Sequence, residues 1–196
     1  MASIDQSLKR MHLDYVDLFY SHRYDPETPL EETLQALVDI VRQGKALYVG
    51  ISRWPLAALM VAERYLREHD VPLLIYQGRI NLLDRAPIEE GQLQFCLDHG
   101  IGFISFSPLA QGLLTDRYLH GIPEDSRMAQ GGSLKREVLT PELLAHLQEL
   151  NQEAAARGET LAGMALSWVL EQEGVTSVIV GASSTKQLDS DLKAMR

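Results

Sequence analysis

Hydrophobic positions along the chain follow two alternating rhythms. Short, nearly continuous apolar runs occur at Tyr15–Tyr20, Ala46–Ile51, Leu73–Tyr76, Gly102–Phe106 and Ser177–Val180. Runs of that kind predict strands covered on both faces, as in a parallel sheet. Between them the apolar residues fall three and four apart, the spacing of a helix with one buried face. Leu30, Leu34, Leu37, Val38 and Val41 share such a face. Thr28 as a cap, Pro29 in the first turn and Glu31 at capping-box spacing predict where that helix starts, and Gly44 predicts its end. Further helices are expected from Trp54-Pro55 to about His69, over roughly Pro87–His99 up to Gly100, and from Thr140-Pro141 through Leu150. Two more are expected across Leu161–Val169 and after Ser184.

Strand and helix alternate, and the crossovers are long enough to join parallel strands, so the fold class is α/β. Two architectures remain, an open doubly wound sheet and a (β/α)8 barrel of the TIM type. The glycine fingerprint of the nucleotide-binding open sheet is missing: Gly100-Ile101-Gly102 has no third glycine and precedes a strand. The expectation is a partial barrel of about five parallel strands with covering helices, where closure needs eight. Residues 1–196 read as one domain. The long irregular stretch Ser107–Leu139 is expected to be functional or mobile.

Composition narrows the partners. A formal charge of −9 argues against non-specific nucleic-acid binding. No apolar run nears the roughly 18 residues of a membrane span. The start, MASIDQSLKRM, lacks the apolar stretch of a secretory signal. Cys96, the one cysteine, cannot form an internal disulfide, which suits a reducing cytoplasm. The expected partner is a small molecule, and the chain leaves a homo-oligomer open. No metal-ligand spacing and no G-x-S-x-G motif is present.

In a barrel, chemistry sits at the C-terminal ends of strands. Those ends are Ser21-His22-Arg23, Gly50-Ile51-Ser52-Arg53, Gln77, Phe106-Ser107-Pro108 and Gly181-Ala182-Ser183-Ser184. Each has a plainer reading. His22 could be a structural hydrogen bonder, Ser52 and Ser183 helix caps, Gln77 a solvated loop residue and Phe106 core.

The segments DYVDLFYSHRYDPETPLEETLQALVDIVRQGKALYVGIS, FSPLAQGLLTDRYLHGIPEDSR and MALSWVLEQEGVTSVIVGASS closely resemble the aldo-keto reductase superfamily. The likeness is greatest to the branch holding bacterial reductases of glyceraldehyde 3-phosphate and methylglyoxal and the β-subunits of voltage-gated potassium channels. It covers essentially the whole chain. The resemblance implies NADPH held in the mouth of a (β/α)8 barrel and reduction of a small-molecule carbonyl.

Residue by residue, the resemblance makes His22 the active-site histidine that orients the carbonyl. Ser52 and Gln77 would hold the nicotinamide carboxamide, with Arg53 beside them, and Phe106 would stack on the nicotinamide ring. Ser107, Pro108, Leu109, Gln111 and Gly112 would wrap the pyrophosphate, and Arg117 and Arg127 would clamp the phosphates. Gly181, Ser183, Ser184 and Gln187 would receive the 2′-phosphoadenosine end, with Asp191 near the adenine. Ser190-Asp191 replaces the family's usual Glu-Asn pair, and Ile80 stands where relatives usually have Tyr. The family's proton-donating Tyr, with its Lys and Asp, belongs to three N-terminal βα units that have no counterpart here. The chain is therefore expected to be truncated at the N-terminus and at the C-terminal loop, and inactive alone. Two alternatives stand beside a reductase: an NADPH-binding regulatory module like the channel β-subunits, and an inactive half-barrel.

Overall fold

The computed structural model describes residues 2–126 and 128–194. Five strands form one parallel sheet whose spatial order follows the chain, β1-β2-β3-β4-β5. They are β1 (Val16–Ser21), β2 (Ala46–Ser52), β3 (Leu73–Arg79), β4 (Gly102–Phe106) and β5 (Val175–Ile179). The helices are α1 (Ala2–Met11), α2 (Leu30–Arg42), α3 (Leu56–Glu68), α4 (Ala86–Glu89), α5 (Gln92–Asp98), α6 (Pro141–Ala156), α7 (Leu161–Leu170) and α8 (Thr185–Ala194). None of them, among the described residues, is long and apolar enough to cross a membrane. The chain divides into two compact units, Met1–Gly78 with Ala86–Ile104, and Arg79–Arg85 with Ser105–Arg196.

In the first unit, α1 contributes Ile4 and Leu8 to a buried cluster with Ile40 and Ala46, against which Val16 and Phe19 pack. Ile4, Leu8 and Met11 stand at helical spacing, but the segment is otherwise polar and the sequence reading did not include α1. Helix α2 buries Leu34, Leu37, Val38 and Ile40 and ends at Gly44, whose φ of +69° suits glycine at a helix C-terminus. Its start differs from the expected capping box. Pro29 takes the cap position without a side-chain bond, while the Thr28 hydroxyl donates to Asp25 Oδ2 at 2.7 Å. Asp25, two residues before Glu27, offers its carboxylate to the local turn and outcompetes the helix end.

The helix expected over Pro87–His99 is two helices, α4 and α5. Gly91 at φ +92° breaks the ladder between them. Strand β3 runs on past Tyr76 to Arg79, because Ser52 and Gln77 remain in register. It also carries a bulge opposite Val49/Gly50. Gly78 is required there: a Cβ would collide with the tip of the fully buried Phe103 ring.

In the second unit, Thr140 caps α6 by accepting from Leu143 N–H at 3.2 Å, with Pro141 at the first helical position. Thr160 caps α7 in the same way, accepting from Gly163 N–H at 3.0 Å. Helix α7 is apolar all round and buries Leu161, Met164, Ala165, Leu166 and Val169. Strand β5 begins at Val175 rather than Ser177. The stretch 107–139 is not an open loop. It holds three short 3-10 turns, Ala110–Gly112, Asp116–Tyr118 and Arg136–Val138. Leu113, Leu114, Tyr118, Leu119, Met128 and Leu134 are buried with Leu147, Leu161 and Met164 in one cluster.

Gly78→Ala is expected to destabilise the protein by ~1–3 kcal/mol, since the added Cβ forces the buried Phe103 ring to shift. Urea unfolding measures the loss. Cys96 supplies a pH signature. Burial pushes its thiol from 9.0 up to about 12, so the folded state holds the proton more tightly than the unfolded chain. The associated stability is complete below about pH 9 and is lost as pH climbs from there toward 12. Urea midpoints measured upward from pH 8 fall along that range. Cys96→Ala flattens the fall by up to ~1.4 kcal/mol per pH unit.

Candidate functional site

Strands of a parallel sheet deliver their C-terminal residues to a common edge, so the side chains just past each strand are the ones free for chemistry. In the first unit the exits of β2 and β3 are tied together. Ser52 is buried, and its hydroxyl donates to the Gln77 carbonyl at 3.0 Å. The Arg53 N–H donates to the same oxygen at 3.1 Å. Ser52 is thus bound to the neighbouring strand and does not cap α3, whose cap position is Pro55 with no side-chain bond. Arg53 takes φ +59°, a left-handed backbone that costs a residue with a Cβ about 1–2 kcal/mol.

Gln77 is half-buried, and its side chain is hydrogen-bonded to the Tyr20 hydroxyl. Burial raises the Tyr20 pKa above its ordinary value, and the Gln77 bond offsets this in part. Gly50 makes the arrangement possible: a Cβ there would stand 2.7 Å from the Tyr20 ring and 2.8 Å from Ile75 Cγ2. Behind the exit of β2, the Tyr76 hydroxyl donates to the Trp54 carbonyl at 2.7 Å. His22 follows β1 and is exposed. A cleft of about 440 Å³ opens beside it, lined by Tyr20, Thr28 and Glu32 together with the apolar Phe19 and Leu37.

In the second unit Phe106 ends β4 and is half-buried, with Pro108 buried just beyond it. The chain then turns through an unusual backbone. Ser107, Ala110 and Gln111 have φ of +52°, +47° and +60°, and Gly112 has +101°. Of the six described non-glycine residues with positive φ, His12 and Asp70 follow helix ends, where that conformation is ordinary. The other four, Arg53, Ser107, Ala110 and Gln111, lie at strand exits, and strain of this kind gathers at functional sites. The turn is closed by Ala110 N–H to Ser107 O at 2.9 Å and Gly112 N–H to Leu109 O at 2.8 Å. The Gln111 side chain accepts from Ser133 at 2.7 Å. Arg117 is exposed and engaged with Asp125, at 2.9 Å to the carboxylate and 3.1 Å to the carbonyl. Arg127 lies outside the described residues.

The last candidate group surrounds the start of α8. Gln187 Oε1 accepts from the Ser183 N–H and hydroxyl at 3.0 and 3.1 Å, and Ser184 accepts from the Gln187 N–H at 3.2 Å. Ser184, rather than Ser183, therefore caps the helix. Gly181, Ser183 and Ser184 are exposed. Asp191 is buried, its Oδ2 has no hydrogen-bond partner in the protein, and burial raises its pKa. No group of three or more His, Cys, Asp or Glu among the described residues could hold a metal ion.

Tyr20, Gly50 and Asn81 were not read as site residues from sequence. Gly50 carried a usable signal, since an isolated glycine within a strand marks a close approach. Tyr20 and Asn81 carried none, because their partners lie 57 and 26 residues away along the chain.

The family model described as the aldo/keto reductase family matches residues 1–196. The chain is 51% identical over 200 residues to an L-glyceraldehyde 3-phosphate reductase of Escherichia coli O157:H7, covering 100% of this chain and 58% of that protein. It is 36% identical over 195 residues to a probable voltage-gated potassium channel subunit beta of Arabidopsis thaliana, covering 96% of this chain and 59% of that one. Among solved structures, a thermostable aldo-keto reductase crystallised with the inhibitor epalrestat superposes with a TM-score of 0.72 at 30% identity, over 98% of this chain and 59% of that one. The chain thus spans a little under three-fifths of the length of these relatives. The family model spans all 196 residues, and the chain belongs to the aldo/keto reductase family.

Proposed function

We propose that this chain is the greater part of an NADPH-dependent carbonyl reductase acting on a small aldehyde or ketone, and that it supplies the cofactor residues and His22. The observation that carries the reading is the likeness, along the whole of this chain, to 58% of an L-glyceraldehyde 3-phosphate reductase. Members of the family generally use NAD(P)H. The residues fit such a group. The partnerless Asp191 Oδ2 is an acceptor suited to the exocyclic amine of adenine, and the Gln77 amide suits a carboxamide.

When bound, the dinucleotide supplies hydride to the carbonyl carbon. Gln77 and Ser52 hold the carboxamide, and Phe106 presents the ring by stacking on it. His22 hydrogen-bonds the carbonyl oxygen and fixes its angle of approach. The turn Ser107–Gly112 receives the pyrophosphate, with Arg117 and Arg127 contributing charge. Gly181, Ser183, Ser184 and Gln187 receive the adenosine end. The proton for the resulting alkoxide comes from a Tyr that we assign, with its Lys and Asp, to a part of the parent protein outside this chain. The likeness to a channel β-subunit favours a second reading, a module that binds the dinucleotide to sense it rather than to turn it over.

The test follows oxidation of NADPH and of NADH by the parent protein with L-glyceraldehyde 3-phosphate and other short aldehydes, beside direct nucleotide titration. Turnover supports the reductase, tight binding without turnover supports the sensor, and no binding ends both. Phe106→Ala is expected to weaken NADPH binding about two- to tenfold, from loss of a stacking contact worth ~0.5–1.5 kcal/mol. His22→Ala is expected to lower turnover while leaving nucleotide affinity unchanged. An equal loss in both would make His22 structural.

A further inference from the structure

We infer that Asn81 is a positioning residue that holds the Ser107–Gln111 turn in its left-handed form and so sets affinity for the dinucleotide, a role that rests on the function proposed above. Asn81 lies just past β3 and is 1% exposed. Both ends of its amide are used. Oδ1 accepts from the Leu83 N–H at 2.9 Å, and Nδ2 donates to the Ser107 carbonyl at 3.1 Å. Its backbone pairs both ways with Asp84, at 2.9 and 3.1 Å. Arg79 is bonded to the Asp84 carboxylate, which stiffens the same short hairpin.

The carbonyl that Asn81 grips stands where the turn begins. Ser107 O also accepts from Ala110 N–H, so one oxygen closes the turn and anchors it to the hairpin. Residues 107, 110 and 111 all carry a Cβ in a left-handed backbone, a state that persists only where its surroundings over-determine it. Two residues before Ser107, in β4, the buried Ser105 hydroxyl donates to Ile80 O at 2.8 Å and accepts from Ile80 N–H at 3.3 Å. Ser105 fixes the strand, whereas Asn81 alone of the two reaches the turn.

That difference provides the test. Asn81→Asp keeps an acceptor for Leu83 but has no donor for Ser107 O, and its charge repels that oxygen. Ser105→Ala removes a neighbouring buried bond and serves as the control for general destabilisation. Amide hydrogen exchange is read at Ala110 and Gly112 without nucleotide, and NADPH affinity is read by titration. The expected result for N81D is exchange at these amides at least about tenfold faster and NADPH affinity about tenfold weaker, the equivalent of ~1.4 kcal/mol. S105A should lower the melting temperature and leave both readouts within about twofold. Unchanged exchange in N81D overturns the inference whether or not nucleotide binds, and so does an S105A that loosens the turn equally. Faster exchange with undiminished NADPH affinity overturns the link to the cofactor. Wild-type protein that binds no nucleotide overturns the proposed function and that link together, and the exchange data then judge the latch alone.

Discussion

A parallel strand cannot return to its neighbour through a tight turn, so each exit must throw the chain across a face of the sheet and bring it back through a helix. Everything distinctive here follows from that constraint. At such an exit the backbone must change direction within one or two residues. Arg53 after β2 and Ser107 after β4 do so in left-handed conformations that a side chain resists. The carbonyl of Gln77 gathers the first exit through Ser52 and Arg53, and the carbonyl of Ser107 gathers the second through Asn81 and Ala110. Polar atoms that a crossover would otherwise leave unpaired become the staples that hold each exit in shape.

The strands were legible as short apolar runs, and the bounds of β4 match the sequence reading. The coverage on both faces expected of them does not hold throughout: Leu47, Tyr48, Leu74 and Ile179 are exposed. Helix ends were legible where glycine marked them, as at Gly44 and Gly100. Misreadings arose where a local competitor won. Asp25 captured Thr28, and Gly91 divided a continuous apolar pattern into two helices. The start of β5 was missed because the polar Thr176 separates Val175 from the apolar run.

The strand ends were legible as a set, and the family resemblance assigned each a role that stands as a proposal. What sequence could not supply was the supporting layer. Ser52 looked like a helix cap and is a strap to Gln77, whereas Ser184 looked like a phosphate ligand and also caps α8. The paired state of Arg117 with Asp125 and the solitary Oδ2 of Asp191 depend on tertiary proximity that periodicity does not encode.

The segment between β4 and α6 lacks regular secondary structure, yet Leu114, Tyr118 and Met128 are sunk in the same cluster as Leu147 and Leu161. Such a segment cannot flutter open residue by residue. To lift the parts that carry Leu114, Tyr118 or Met128, several large side chains must leave the cluster together, so their opening is a cooperative, sub-global event. Anything enclosed by its strained first turn would be exchanged at the rare tempo of that event rather than at the nanosecond tempo of an ordinary surface loop.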